Sequence, residues 1–131
     1  MDMATTASGI GAIGLVIIPS TDQDRSVEFY VQDLGFEKRT DVAFGESYRW
    51  VEVYPPSGTT GIALAPPREG TPAGVQTGIS LTTGDIDATY AQLQSRGVDV
   101  DAEVARMGEP VPPMFWFRDP DGNTLLIVEQ S

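Results

Sequence analysis

The side chains able to do chemistry are few and mostly of one kind. There is no cysteine and no histidine. Thiolate nucleophiles, disulfides, imidazole bases and Cys/His zinc sites are therefore excluded, and only oxygen ligands remain for any metal. Carboxylates are plentiful, with 19 acidic against 8 basic residues. Four of them recur as Asp22-x-Asp24 and Asp85-x-Asp87, and two stand in Asp119-Pro120-Asp121-Gly122. Oxygens in the first pattern cap helices, and Asp-Pro and Asp-Gly specify tight turns. Glu52 stands apart, inside the β-type run Arg49-Trp50-Val51-Glu52-Val53. A carboxylate in such surroundings accepts hydrogen bonds, pairs with an amine, or serves as a general base with a raised pKa. The other chemistry on offer is stacking, from Trp50 and Trp116, beside the adaptable thioether of Met114.

Elements must position these groups. Ile13–Ile18 is β-branched and reads as a strand. Thr21 to Asp24 supplies cap oxygens for a helix carrying Val27, Tyr30, Val31 and Leu34, which Gly35 ends. Strands follow over 36–43, 48–54 and 61–65, the last two joined through the Pro55–Gly58 turn. A Pro/Gly-rich linker covers 66–74. The pattern then repeats: a strand over 76–81, a helix with Ile86, Tyr90 and Leu93 ended by Gly97, and strands over 98–105, 114–117 and 124–128. Asp22 maps to Asp85, Gly35 to Gly97 and Pro56 to Pro120, at offsets of 63, 62 and 64. Two βαβββ modules in tandem are expected, over about 12–65 and 75–130, in one α+β domain spanning 11–131 behind a frayed tail of residues 1–10.

The net charge of −11 disfavours nucleic acid and anionic membrane surfaces and mildly favours cationic ligands. No basic-then-apolar leader opens the sequence and no apolar run reaches membrane-spanning length, so a cytoplasmic protein is the expectation.

Four motifs in register carry a family resemblance. Ser20 to Tyr30 followed by Leu34-Gly35-Phe36 resembles the opening of vicinal-oxygen-chelate proteins, the glyoxalase/bleomycin-resistance fold. Phe117-Arg118-Asp119-Pro120-Asp121-Gly122-Asn123 resembles their closing hairpin, and Arg49–Val53 and Asp85–Tyr90 fit as well. The resemblance covers about 12–130. It implies a curved mixed sheet closing as a cup, with helices outside, ligand inside and often a homodimer. Members include metal-dependent isomerases, dioxygenases and thiol transferases, and metal-free proteins that sequester antibiotics.

The resemblance also places the positions at which its metal enzymes carry ligands. They fall on Leu15, Ala63, Gly78 and Leu126. None has a side-chain lone pair, and a divalent ion among them would be severely desolvated. No metal and no cofactor is therefore expected. Strand alternation puts Trp50, Glu52, Met114 and Trp116 on the cup side, and Val51, Val53 and Phe117 toward the helices. Relatives of the thiol-transferase type place a ligand-contacting aromatic at the position of Trp116.

The leading expectation is a metal-free binding protein that sequesters a hydrophobic or aromatic natural product, with a site of Leu15, Trp50, Glu52, Ala63, Gly78, Met114, Trp116 and Leu126. The alternatives are a metal-free isomerase, epimerase or cyclase with Glu52 as base, a metal-dependent lyase or dioxygenase, and a dimer without a small ligand. The stiff segment Met107–Pro113 is either a rim or lid or an inert connector.

Overall fold

The structure, a computed structural model, describes residues 8–46 and 48–130. Most of the expected tail, residues 1–7, lies outside them; residues 8–14 carry neither helix nor strand.

The first module runs β1 (Leu15–Pro19), α1 (Gln23–Glu28) with a π-helical turn (Phe29–Asp33), β2 (Glu37–Phe44), β3 (Tyr48–Tyr54) and β4 (Gly61–Ala65). The second runs β5 (Gln76–Thr83), α2 (Ile86–Ser95), β6 (Asp99–Val100), β7 (Met114–Arg118) and β8 (Thr124–Glu129). Each module makes its own four-stranded mixed sheet, in the orders β1-β4-β3-β2 and β5-β8-β7-β6. In both, the opening strand pairs parallel to the last, and the remaining pairs are antiparallel.

The repeated Asp residues do in space what their spacing announces. Asp22 caps α1 by accepting from the Arg25 amide, and Asp85 caps α2 by accepting from the Ala88 amide. Gly35 and Gly97 leave the helices at φ of 82° and 80°, a region that side chains rarely occupy. The first helix departs from expectation at its end. Phe29 and Tyr30, adjacent in sequence, both enter the core and meet edge to face at 5.2 Å. One regular helical stripe does not present two successive residues equally, and the wider π turn is where both become buried.

The second expected strand of the second module, 98–105, is mostly absent; only Asp99 and Val100 pair with β7 in a named strand. Asp101 still donates its main-chain amide to Trp116 O, but its carboxylate, and not its main chain, accepts from the Trp116 amide, and the regular ladder ends there. The chain bends away and touches β7 again through a single bridge, Ala105 to Met114. Met107–Pro113 follows as a connector without helix or strand.

One apolar core runs through both modules. Val51, Val53, Phe115, Phe117 and Leu125 have no exposed surface, as alternation requires of helix-facing positions. Tyr90 packs edge to face on Phe115, and Phe29 of the first module reaches Phe117 of the second at 6.2 Å.

A polar seam fastens the modules. Asp119 and Asp121, read from sequence as turn formers, do more than turn the chain. Asp119 Oδ1 closes the turn on the amides of Asp121 and Asn123, while Oδ2 accepts from the buried Tyr30 hydroxyl at 2.9 Å. Burial, reinforced by the Asp119 charge, pushes the Tyr30 phenol well above its usual pKa. Asp121 accepts from the Thr21 amide and hydroxyl. Asn123, fully buried, donates to Pro19 O and Asp119 and accepts from the amides of Gly74 and Val75.

Candidate ligand-binding site

β3 carries its side chains alternately inward and outward, so Trp50, Glu52 and Tyr54 share the face opposite Val51 and Val53. They are bonded as a row. Trp50 Nε1 donates to Glu52 Oε2 at 2.7 Å, and the Tyr54 hydroxyl donates to Glu52 Oε1 at 2.8 Å. Glu52, expected to be an isolated carboxylate, instead holds both aromatics in place. Its hydrogen bond, partial desolvation and the carboxylate charge raise the Tyr54 pKa, which keeps that phenol a donor.

Small residues beneath the row make it possible. Gly61 lies under the Tyr54 ring, so close that an added Cβ would stand 2.6 Å from ring carbons. Ala63 sits between Ile17 of β1 and Glu52 of β3 and has no exposed surface. It is a covered floor and not an exposed lining. At the far end the Arg39 guanidinium lies 4.5 Å from the Tyr54 ring centroid and is itself held by the carbonyls of Pro55, Pro56 and Gly58. On the opposite, helix-side face of β3, Arg49 is anchored by Asp41 and Asp24, and the Arg49 hydrogen bonds hold the Asp41 carboxyl far below its usual pKa.

A cavity of about 540 Å³ opens over this face. Its walls come from Trp50, Tyr48 and Ile17 on one side and from the Pro66–Pro72 linker with Val75 on the other. Apolar side chains on the same face stay exposed: Ile17 at 60%, Phe44 at 55% and Val42 at 42%. For an unaccompanied domain this is a large cluster of uncovered apolar groups.

The eight residues expected from sequence divide between the two sheets. Leu15, Trp50, Glu52 and Ala63 lie on the first. Met114, Trp116 and Leu126 lie on the second, half-buried and side by side: Trp116 pairs with Leu126, and Met114 with Val128. Gly78 departs from its expected place. Two extra residues accumulate between the Gln76–Thr124 and Ser80–Leu126 pairs, and Gly78 falls in that irregularity at φ of 73°. Ser80, not Gly78, therefore stands beside Leu126, as Ile17 stands beside Ala63 in the first module. Gly78 lines a separate cleft of about 780 Å³ between the modules. Of the eight, only Trp50 lines the cavity over the first sheet.

Tyr54, Tyr48 and Ile17 belong to this face but were not among the eight. Tyr54 was available from the same alternation that selected Trp50 and Glu52. Tyr48 was available in the same way, from the start of the same strand. The linker's part in the wall had no signal in the strand pattern.

The positions reserved for metal ligands hold Leu15, Ala63, Gly78 and Leu126, which offer no side-chain donor. Among the described residues no three acidic side chains gather in a way that could hold an ion. This donor set does not fit a divalent cation.

The family model described as the Glyoxalase/Bleomycin resistance protein/Dioxygenase superfamily matches residues 12–127. The uncharacterized protein YurT of Bacillus subtilis (strain 168) is 32% identical over 119 residues, 83% of this chain and 91% of that protein. A superfamily member from Sphaerobacter thermophilus DSM 20745 is 39% identical, with a TM-score of 0.84 over 92% of this chain and 98% of that one. TnmS3, described as an antibiotic binding protein from Streptomyces sp. CB03234, is 32% identical, with a TM-score of 0.82 over 95% of this chain and 100% of that one.

Proposed function

This chain belongs to the glyoxalase/bleomycin resistance protein/dioxygenase superfamily, and from that premise we propose that it binds and sequesters an aromatic, hydrophobic small molecule without a metal and without turnover. The observation that carries the reading is the cavity walled by Trp50, Tyr48, Ile17 and the linker prolines. A flat apolar guest gains from burial at roughly 25 cal/mol per Å², and each stacked ring adds about 0.5–1.5 kcal/mol. The likeness to TnmS3 makes an antibiotic natural product the ligand class of choice, and self-protection or resistance the consequence.

The exposed Ile17, Val42 and Phe44 support a second element of the proposal, a homodimer. A second copy laid on this face would cover them and bring the Met114–Trp116–Leu126 face of one protomer against the Trp50 face of its partner, closing a cup from both halves of the expected site.

Glu52 as a general base has weaker support. Both its oxygens already accept hydrogen bonds, so part of its lone-pair capacity is spent on holding Trp50 and Tyr54.

The test is a tryptophan-quenching titration against planar aromatic natural products, with mass spectrometry of the recovered ligand and metal analysis of the protein. The reading requires saturable binding at one ligand per site, an unchanged ligand mass and no stoichiometric metal. A chemically altered ligand, or stoichiometric zinc, nickel, iron or manganese, overturns it. Light scattering should give twice the chain mass; a stable monomer with bound ligand removes the dimer.

A further inference from the structure

The eight basic side chains are not equally occupied. Among the described residues Arg25, Lys38, Arg39, Arg49, Arg106 and Arg118 make ion pairs. Arg96 donates to the Asp33 carbonyl. Arg68 alone makes no side-chain hydrogen bond or ion pair with a described residue, although Glu69 is its neighbour in sequence and acidic residues outnumber basic ones more than twofold.

Arg68 lines the cavity over the first sheet and is the only charged residue among the described residues that does so. Its backbone is fixed there. Its carbonyl accepts from the Thr71 amide at 2.9 Å, Gly70 turns the chain at φ of 86°, and Pro66, Pro67 and Pro72 stiffen the flanks. Among the described residues no carboxylate lines this cavity. The nearest on the wall strand, Glu52, is occupied by Trp50 and Tyr54. A planar cation fork beside an indole and a phenol matches an aromatic ring bearing an anionic oxygen group.

We propose that Arg68 is a specificity residue, and that the cavity selects aromatic ligands carrying an acidic group, a carboxylate or an ionised phenol, whose negative charge Arg68 receives. This rests on the binding reading above and narrows its ligand class. It also reverses what net charge alone favours. The net charge of −11 belongs to the whole chain, and charges beyond about 8 Å are screened at physiological salt, so the local guanidinium governs the cavity.

The experiment uses two probes of one shape, anthraquinone-2-carboxylate and anthraquinone-2-carboxamide, titrated by tryptophan quenching against the full chain and its Arg68→Gln and Arg68→Lys variants. Arg68 is exposed, so neither substitution disturbs the core, and circular dichroism checks the fold. The carboxylate should bind roughly tenfold more tightly than the carboxamide, which corresponds to 1.4 kcal/mol. Arg68→Gln should erase that preference by weakening carboxylate binding about tenfold more than carboxamide binding, while Arg68→Lys should retain part of it. Equal binding of the two probes to the unmodified chain, or a preference that survives Arg68→Gln, overturns the role of Arg68 and leaves the binding reading standing. Failure of both probes to bind overturns the aromatic cavity itself, and the role of Arg68 with it.

Discussion

Replacing Asn123 with alanine tests whether the seam between the modules holds the cavity wall. The amide is fully buried and makes four side-chain hydrogen bonds, to Pro19 O, Asp119, Gly74 N and Val75 N. Alanine removes all four and orphans three main-chain groups: the Pro19 carbonyl and the Gly74 and Val75 amides. Each orphaned group costs about 1–3 kcal/mol, toward the lower end where water reaches it. Because Gly74 is exposed and Pro19 is buried, the expected loss is about 3–5 kcal/mol, a large share of the ~5–15 kcal/mol that holds an ordinary domain. With a urea slope of about 1–3 kcal/mol/M, the unfolding midpoint should fall by roughly 2 M. Asn123→Asp sharpens the test. It keeps acceptors for Gly74 and Val75 but loses the donor to Pro19 and sets a second carboxylate against Asp119. It should be as damaging as alanine at pH 7 and recover partly as the pH approaches 4. Val75 lines the cavity, so ligand affinity should fall in both variants even at temperatures where they stay folded. A midpoint loss equivalent to less than about 1 kcal/mol, the value of a single ordinary hydrogen bond, would refute the argument.

Three further outcomes are expected. Tyr30→Phe removes the hydroxyl from Asp119 and should cost about 1–2 kcal/mol at pH 8. Because the folded phenol holds its proton well above the ordinary value of 10.0, the unfolded chain ionises first as the pH rises, and stability should decline from about pH 10 upward. Urea midpoints at pH 8 and 10.5 should therefore separate for the unmodified chain more than for Tyr30→Phe. Gly61→Ala drives a methyl into the Tyr54 ring and should cost about 1–3 kcal/mol; thermal melts should show the loss relieved when Tyr54→Ala is added. Trp50→Phe should weaken binding of a planar aromatic by several-fold and remove the larger part of the ligand-induced quenching; quenching retained in full would place the guest at Trp116.

Much of the fold was legible because two periodicities carried it. β3 and β4 lie over 48–54 and 61–65 as alternation placed them, and Val51, Val53 and Phe117 are buried where period two required. The caps Asp22 and Asp85 and the stops Gly35 and Gly97 were local chemistry and read directly. Failures came where a side chain competed with the main chain or where distant segments met. Asp101 captured the Trp116 amide and cut a strand short, and Thr77 captured the Ile79 amide in the irregular stretch that carries Gly78. The candidate site was half legible. Its face of Trp50 and Glu52 followed from alternation, but the bonds making Glu52 a clamp depend on rotamers. The linker wall with Arg68 depends on where a Pro-rich segment folds back, which no period encodes.

The seam also dictates when the protein can become a protein. Tyr30 finds Asp119 across 89 residues, Thr21 finds Asp121 across 100, and Asn123 finds Pro19 across 104, each spanning most of the 131-residue chain. Closing such long loops is slow, and nothing is gained until both ends meet. During synthesis the strands of the first module have one another to pair with, but Pro19, Thr21 and Tyr30 gain their seam partners only once residues 119–123 are made. The same seam makes the Pro-rich linker a natural place to divide the chain: two fragments severed there should associate when mixed, because their seam partners lie on opposite sides of the cut.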